Sequence, residues 1–312
     1  MAILSPDLIY REIEKTVIGQ HEAKRTVSIA LFIHYVRIFQ NLRDNMSINK
    51  SNMLIHGPSG NGKTLLIREG CEAVKTLTRY PAILPMLEVD CTTLTSSGWQ
   101  GNNIDDLIGD HYENYFGDFE PLFPKSSVIF LDEIDKLCMP AVGSGGTDFN
   151  KMTQYNLLKA VEGTRFKNSA RHVVDTTEML FVFAGNFPQI RKARDAAKKG
   201  VGFQYNHATN VSPDQQLALQ KAGMTTQLAG RISYVAELER LDRKDLTRVL
   251  KELIVPEKID TWNYLDYDFK LSDYRVKLIV EEALDKKTGA RGLLSAIDRH
   301  LEDEIFFMEF ES

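Results

Sequence analysis

Two short stretches carry residue types that could do chemistry together. Gly57-Pro58-Ser59-Gly60-Asn61-Gly62-Lys63-Thr64 satisfies the pattern GxxxxGK[ST]. Glycines at these spacings let backbone N–H groups turn inward around phosphate oxygens, and a helix beginning at Lys63 adds the positive end of its dipole. The Lys63 ammonium would reach the β- and γ-phosphates of ATP, and the Thr64 hydroxyl would bind Mg²⁺. Ser59, Gly60, Asn61, Gly62 and Leu65 complete the expected cradle. The second stretch, Val128-Ile129-Phe130-Leu131-Asp132-Glu133, is apolar and ends in two acids. Such a run reads as a buried strand whose carboxyl end faces a ligand. Asp132 would hold the Mg²⁺, and Glu133 is placed to orient and deprotonate an attacking water. The chemistry expected of the pair of motifs is ATP hydrolysis.

These groups need a scaffold, and the rest of the chain supplies one. Met53 to His56 is a short apolar run ending in Gly-Pro, as a buried strand entering a turn does. Further strands are predicted over Met86–Asp90, Val128–Asp132, Met179–Ala184 and Ile232–Leu238, alternating with helices over Lys63–Thr78, Asn103–Tyr115 and Asn150–Glu162. The alternation predicts an α/β fold, a parallel five-stranded sheet with helices on both faces. Ahead of it, Asp7 to Gln40 reads as two helices broken at Ile18-Gly19-Gln20. Met139–Phe149 and Gly200–Pro213 read as loops, the first of them mobile. After Glu237 the pattern changes to amphipathic helices, Asp242–Leu253, Ser272–Lys286 and Ala290–Phe307, with Asp242 and Ser272 as N-caps. The expected division is a large nucleotide-binding domain, 1–237, and a small helical domain, 238–312.

Composition excludes several other classes. Hydrophobic residues at 43% and charged residues at 26% are those of a globular chain. A net charge of −5 argues against binding nucleic acid through the overall field, and the basic run Arg191–Lys199 reads as a solvated helix face. Cys71, Cys91 and Cys138 form no CxxC pair, and the histidines show no metal spacing, so no zinc site is expected. No Ser–His–Asp triad can be assembled. The N-terminus lacks the pattern of a signal peptide. The most apolar helical stretch, Ser28–Phe39, is interrupted by His34, Tyr35 and Arg37, so a cytoplasmic protein without a membrane span is expected.

With these motifs in view, the chain resembles a known family. Asp132-Glu133-Ile134-Asp135 is similar to the acidic motif of AAA+ ATPases, and further segments resemble the ClpX branch, the protein-unfolding ring of bacterial ATP-dependent proteases. Val17-Ile18-Gly19-Gln20 resembles its entry segment, which implies that Ile18 packs on adenine. Leu157 to Thr164 resembles its helix ending in Glu-Gly-Thr, and Gly230-Arg231 and Gly289-Ala290-Arg291-Gly292 resemble its two arginine motifs. The resemblance runs from about residue 16 to 300. It implies that Arg231 is an arginine finger reaching a neighbouring subunit's nucleotide, Arg291 a second sensor, and Asn186 the first sensor. It implies too that Gly98-Trp99-Gln100-Gly101 is a pore loop gripping the translocated polypeptide, with Trp99 and Gln100 replacing the usual aromatic–aliphatic pair. Ala141–Thr147 would be a second pore loop. Val201-Gly202-Phe203 resembles the tripeptide that docks ClpX on its peptidase.

The resemblance does not extend to the zinc-binding domain that usually opens that family, so none is expected, and the aromatic-rich stretch Asp110–Pro124 looks longer than the family norm. The expectation is a homo-hexameric, ATP-driven protein unfoldase acting on protein substrates and feeding a ClpP-like peptidase. Alternatives are a stand-alone remodeller of one protein complex, a nucleic-acid loader, and a regulatory ring without useful hydrolysis.

Overall fold

A computed structural model describes residues 4–40, 48–80, 84–94, 102–117, 126–143, 145–192, 211–263, 271–300, 302 and 306. Seven strands are described: β1 (Asn52–His56), β2 (Met86–Asp90), β3 (Val128–Asp132), β4 (Arg165–Lys167), β5 (Val173–Asp175), β6 (Leu180–Gly185) and β7 (Ile232–Glu237). Five form one sheet in the order β2-β3-β6-β1-β7, every pairing parallel. Strands covered on both faces have no polar side to show, which is why β1 and β6 are buried at every position.

Alternate residues of these strands feed two cores. Leu54, Ile129, Leu131, Phe181 and Phe183 face helices Ile104–Tyr115 and Phe149–Glu162. Met53, Ile55, Val128, Phe130, Val182 and Ala184 face Pro6–Ile13, His21–Gln40 and Lys63–Thr78. A third cluster joins Leu246, Leu250, Ile279, Leu293 and Ile297 of the C-terminal helices, and Ile18 of the entry segment packs into it. No helix among the described residues is long and apolar enough to cross a membrane.

Several elements differ from expectation for identifiable reasons. A hairpin, β4 with β5, occupies a stretch the sequence leaves unassigned; its three-residue strands are too short for a periodic signal. The helix Pro213–Lys221 is likewise unassigned, although Ser212 and Gln215 form a reciprocal capping box with Pro213 in the first turn. The loop expected over Met139–Phe149 carries backbone bonds among its described residues. Gly143 N–H donates to the Thr147 carbonyl and Phe149 N–H to Ala141, both at 3.0 Å. The helix that starts at Arg243 does not stop near Leu253. It passes through a π turn, Val249–Ile254, and continues to Asn263. Pro256 has no N–H to give and its ring would strike the Glu252 carbonyl in regular α geometry, so the preceding turn widens.

At the amino edge of the sheet, two cations are held beneath the strands. Arg37 is almost fully buried, donates to the Thr177 carbonyl (3.2 Å) and pairs with Glu178 (3.4 Å). Lys50 Nζ donates to the Thr176 carbonyl (2.8 Å) and lies 4.8 Å from the Phe181 ring centre. Burial, and then Arg37, push the Lys50 ammonium down from 10.5 to about 7, against the pull of Glu178 and Asp175. Between pH 7 and 10.5 the unfolded chain therefore keeps a proton that the folded chain has lost, so stability rises with pH across that window. Below it the penalty is complete. Urea midpoints of the parent chain should climb from pH 7 toward 9.5 more steeply than those of Lys50→Met. Parallel curves for the two proteins would show that Lys50 keeps its ordinary affinity for the proton.

Candidate nucleotide site

The site is built where β1, β6 and β7 end together. His56 stands beside Gly185 of β6 and Glu237 of β7 in register. Gly57 N–H donates to the Gly185 carbonyl (3.2 Å), and Leu238 N–H to the His56 carbonyl (2.7 Å), so the root of the loop is held from both sides. The loop then enters the helix Lys63–Thr78 through Gly62, whose φ of +89° is left-handed. No side chain caps this helix start. The N–H groups of its first turn and the dipole's positive end are left to an anion, and a Cβ at Gly62 would meet nothing within 4 Å. Leu65 turns its side chain outward, 37% exposed, while Leu66 and Ile67 are buried, so only its N–H can serve the cradle.

Lys63 Nζ donates to the Gly57 (3.0 Å) and Pro58 (3.2 Å) carbonyls, across the mouth of its own loop. Burial lowers its pKa, and Asp132, Asp135 and Glu133 oppose the shift, which keeps a cation and three carboxylates in one electrostatic neighbourhood. Asp132 closes β3 and accepts from Glu133 N–H through Oδ1 (2.9 Å). Glu133 has φ +55°, a left-handed conformation costing about 1 kcal/mol for a residue with a Cβ. Buried Ile134 and Leu137 anchor the short helix behind it and hold the strain. Glu133 itself is exposed. A helix start without a cap, a lysine and an acid pair make the donor set that a Mg²⁺-bound nucleotide needs, so these residues fit that group.

The C-terminal helices close on the loop directly. Ala290 N–H donates to the Gly60 carbonyl (3.0 Å). Gly60 has φ +77°, and a Cβ there would lie 2.2 Å from the Thr288 carbonyl oxygen. Asn61 Nδ2 donates to the Glu239 carbonyl (2.9 Å), and Gln20 grips the backbone of the same residue twice, through Nε2 to the carbonyl (2.8 Å) and Oε1 from the N–H (2.9 Å). Arg291 opens the helix Ala290–His300 beside Gly60 and, with Ser59, Lys287, Ser295 and Arg299, lines a cationic cavity of about 410 Å³. Ile18 is buried against Leu246 and Ile279, which brings the entry segment to the same junction.

The structure thus gathers Lys63, Thr64, Asp132, Glu133, Asn186 and Arg291 at one edge; Asn186 follows Gly185 and is exposed. Arg231 is not among them. It precedes β7 at the opposite edge, where its carbonyl accepts from Asn52 (3.0 Å) and its guanidinium pairs with Glu162. At roughly 3.3 Å per residue, β1 alone separates it from Lys63 by roughly 13 Å. Trp99, Gln100, Val201, Gly202 and Phe203 lie outside the described residues; Leu94 and Asn102, which flank the first group, bridge each other. Two contributors were missed by sequence reasoning. Asp135 sits with Oδ1 2.7 Å from where a Gly185 Cβ would be, and its only signal was its place in the acidic motif. Gln20 had no signal as a clamp, because its partner is Glu239, far along the chain.

The model of the AAA domain (Cdc48 subfamily) matches residues 48–235, and that of the C-terminal, D2-small domain of ClpB protein matches 241–308. The ATP-dependent Clp protease ATP-binding subunit ClpX of Treponema denticola is 32% identical over 98% of this chain and 77% of its own length. This chain is a ClpX-like AAA+ ATPase. The ClpX of Azotobacter vinelandii is 31% identical, covering 96% of this chain and 73% of the relative. ClpX 2 of Wolinella succinogenes is 32% identical over 96% and 75%. Use of a nucleotide with Mg²⁺ and an unfoldase-type activity follow from that membership.

The clasp between loop and C-terminal helices can be tested in this ClpX-like ATPase. Gly60→Ala puts a Cβ into the Thr288 carbonyl in a left-handed conformation. A cost of about 1.4 kcal/mol, or more, should speed hydrogen exchange of the Ala290 amide about tenfold. ATP turnover should fall with it, while exchange in β1 and β6 stays slow. Unchanged protection at Ala290 would show that the loop and the C-terminal helices are not mechanically joined there.

Proposed function

We propose that this ClpX-like ATPase forms a homo-hexameric ring that unfolds and threads proteins. Its large unit is residues 1–237 and its small helical unit 238–312. The observation that carries the reading is the bond from Ala290 N–H to Gly60. A change in what the phosphate loop holds must be felt by the C-terminal helices, which is how nucleotide turnover would become movement.

In this reading Lys63 and the first-turn N–H groups hold the phosphates, and Thr64 and Asp132 hold Mg²⁺. Held there, Mg²⁺ would supply positive charge against the negative charge of the phosphate oxygens. Glu133 accepts the proton of the attacking water, and Asn186 fixes that water's position. Ile18 packs against the base, and Arg291 reports the nucleotide to the small unit. Arg231, held at the amino edge by Asn52, serves the nucleotide of the next copy in the ring. Trp99 and Gln100 grip the substrate chain by shape and dispersion.

The named ClpX relatives are ATP-binding subunits of Clp protease. We extend this to the present chain as a ClpP-like peptidase partner docked through Val201, Gly202 and Phe203. The second reading, a remodeller that works without a peptidase, is separated from it by Phe203→Ala. That variant should lose peptidase stimulation and keep ATP turnover. Retained stimulation would reject the docking tripeptide.

Two variants test the ring. Glu133→Gln should lower turnover by about two to four decades while nucleotide binding persists. Arg231→Ala should be equally slow alone. Mixed with Glu133→Gln, its intact sites would face intact arginines, and turnover should return to a large fraction of the parental rate per competent site. Absence of any recovery on mixing would show that Arg231 does not act across a subunit boundary.

A further inference from the structure

Three charged or titratable groups at the carboxyl edge have no part in the nucleotide chemistry above. Glu237 is the last residue of β7, its side chain 10% exposed. Arg191 Nε stands 3.1 Å from Glu237 Oε1, and His56 Nε2 stands 3.9 Å from Oε2, an ion pair when the imidazole is protonated. His56 itself is buried and is the residue from which the phosphate loop springs.

The positions of these three residues matter more than the contacts alone. Asn186 is exposed and sits on the short stretch from Gly185 to Arg191. One end of that stretch is fixed by the Gly57 N–H bond to Gly185, and the other by Arg191 on Glu237. Phe187 and Ile190 are buried and set its depth, residues 188–192 are helical, and apolar packing by itself is not directional. The ionic contact adds direction. Both ends are thus tied to the root of the phosphate loop, and Glu237 lies two residues before the Glu239 backbone clamped by Gln20 and Asn61.

We propose that Glu237 is a positioning residue for ATP turnover: through Arg191 and His56 it holds the Asn186 stretch, the phosphate loop and the exit from β7 in one register. The proposal rests on the reading of Asn186 and the phosphate loop given above. It assigns Glu237 no contact with the nucleotide.

The test is a double-mutant cycle in the full chain with Glu237→Gln, Arg191→Gln and the pair, following steady-state ATP turnover and thermal unfolding together. Each single change should lower kcat about tenfold or more with KM within about threefold, because the group acts on the reacting arrangement and not on uniform binding. The double variant should be no slower than the slower single, since both remove one tie. Glu237→Asp should recover part of the rate. Rates within about twofold of the parent for both singles, or losses that multiply in the double, would overturn the proposal. So would a loss of kcat that parallels a lowered melting temperature and vanishes when assayed at a lower temperature. Glu133→Gln serves as the separate check: if it turns over normally, the reading of the site fails whatever the cycle shows.

Discussion

The backbone of Glu239 is gripped by side chains from two distant parts of the chain, and the site depends on that grip. Gln20 answers both of its polar groups and Asn61 adds a second donor to the carbonyl. Gln20 stands at the break before the helix His21–Gln40, Asn61 is part of the phosphate loop, and Glu239 begins the run into the C-terminal helices. Primary amides suit this task because each offers a donor and an acceptor that can meet the C=O and N–H of one residue. The junction fixes where the loop ends relative to the helices that carry Arg291. Without it, Ala290 N–H and the Gly60 carbonyl would have to find each other across a hinge.

Charge is distributed across the sheet in a way that separates structure from chemistry. At the amino edge, Arg37 and Lys50 spend their hydrogen bonds on carbonyls of Thr176 and Thr177, and burial depresses both pKa values. These cations fasten the approach to β6. At the carboxyl edge the carboxylates Asp132, Glu133 and Asp135 gather around one lysine. Parallel strands all present the same end to this edge, so every loop leaving β1, β3, β6 and β7 arrives at the site. The three cysteines are buried elsewhere in the same cores, and burial pushes the thiols of Cys71 and Cys138 up to about 12, which leaves them unreactive.

Much of this was legible before any coordinates. The strands Met86–Asp90 and Val128–Asp132 and the helix Lys63–Thr78 have the bounds that apolar runs and turn residues predict. Asp242 and Ser272 cap the helices they were expected to cap, each accepting from the third residue on. Legibility fails where the deciding contact is far away in sequence or too short to have a period. The β4–β5 hairpin is held by a ladder of three residues and the Arg165–Asp175 pair. Gln20 with Glu239 and Arg191 with Glu237 belong to the first kind. Such pairs leave no local pattern, because each residue alone reads as a polar residue in a turn or at a strand end.

The π turn at Val249–Ile254 has a consequence for how the C-terminal helices tolerate change. Val255 N–H reaches back five residues to the Leu250 carbonyl, so the turn stores one residue more than a regular helix would. Each residue of an α-helix advances the face by about 100°. Forcing this segment into regular α geometry at its present length would spin Val255–Asn263 by about that angle against Arg243–Arg248. Val255 and Ile259 would leave the apolar cluster, and Lys258 would swing away from Asp298. Length here is therefore a form of phase, and Pro256, which cannot donate, is the setting that keeps it.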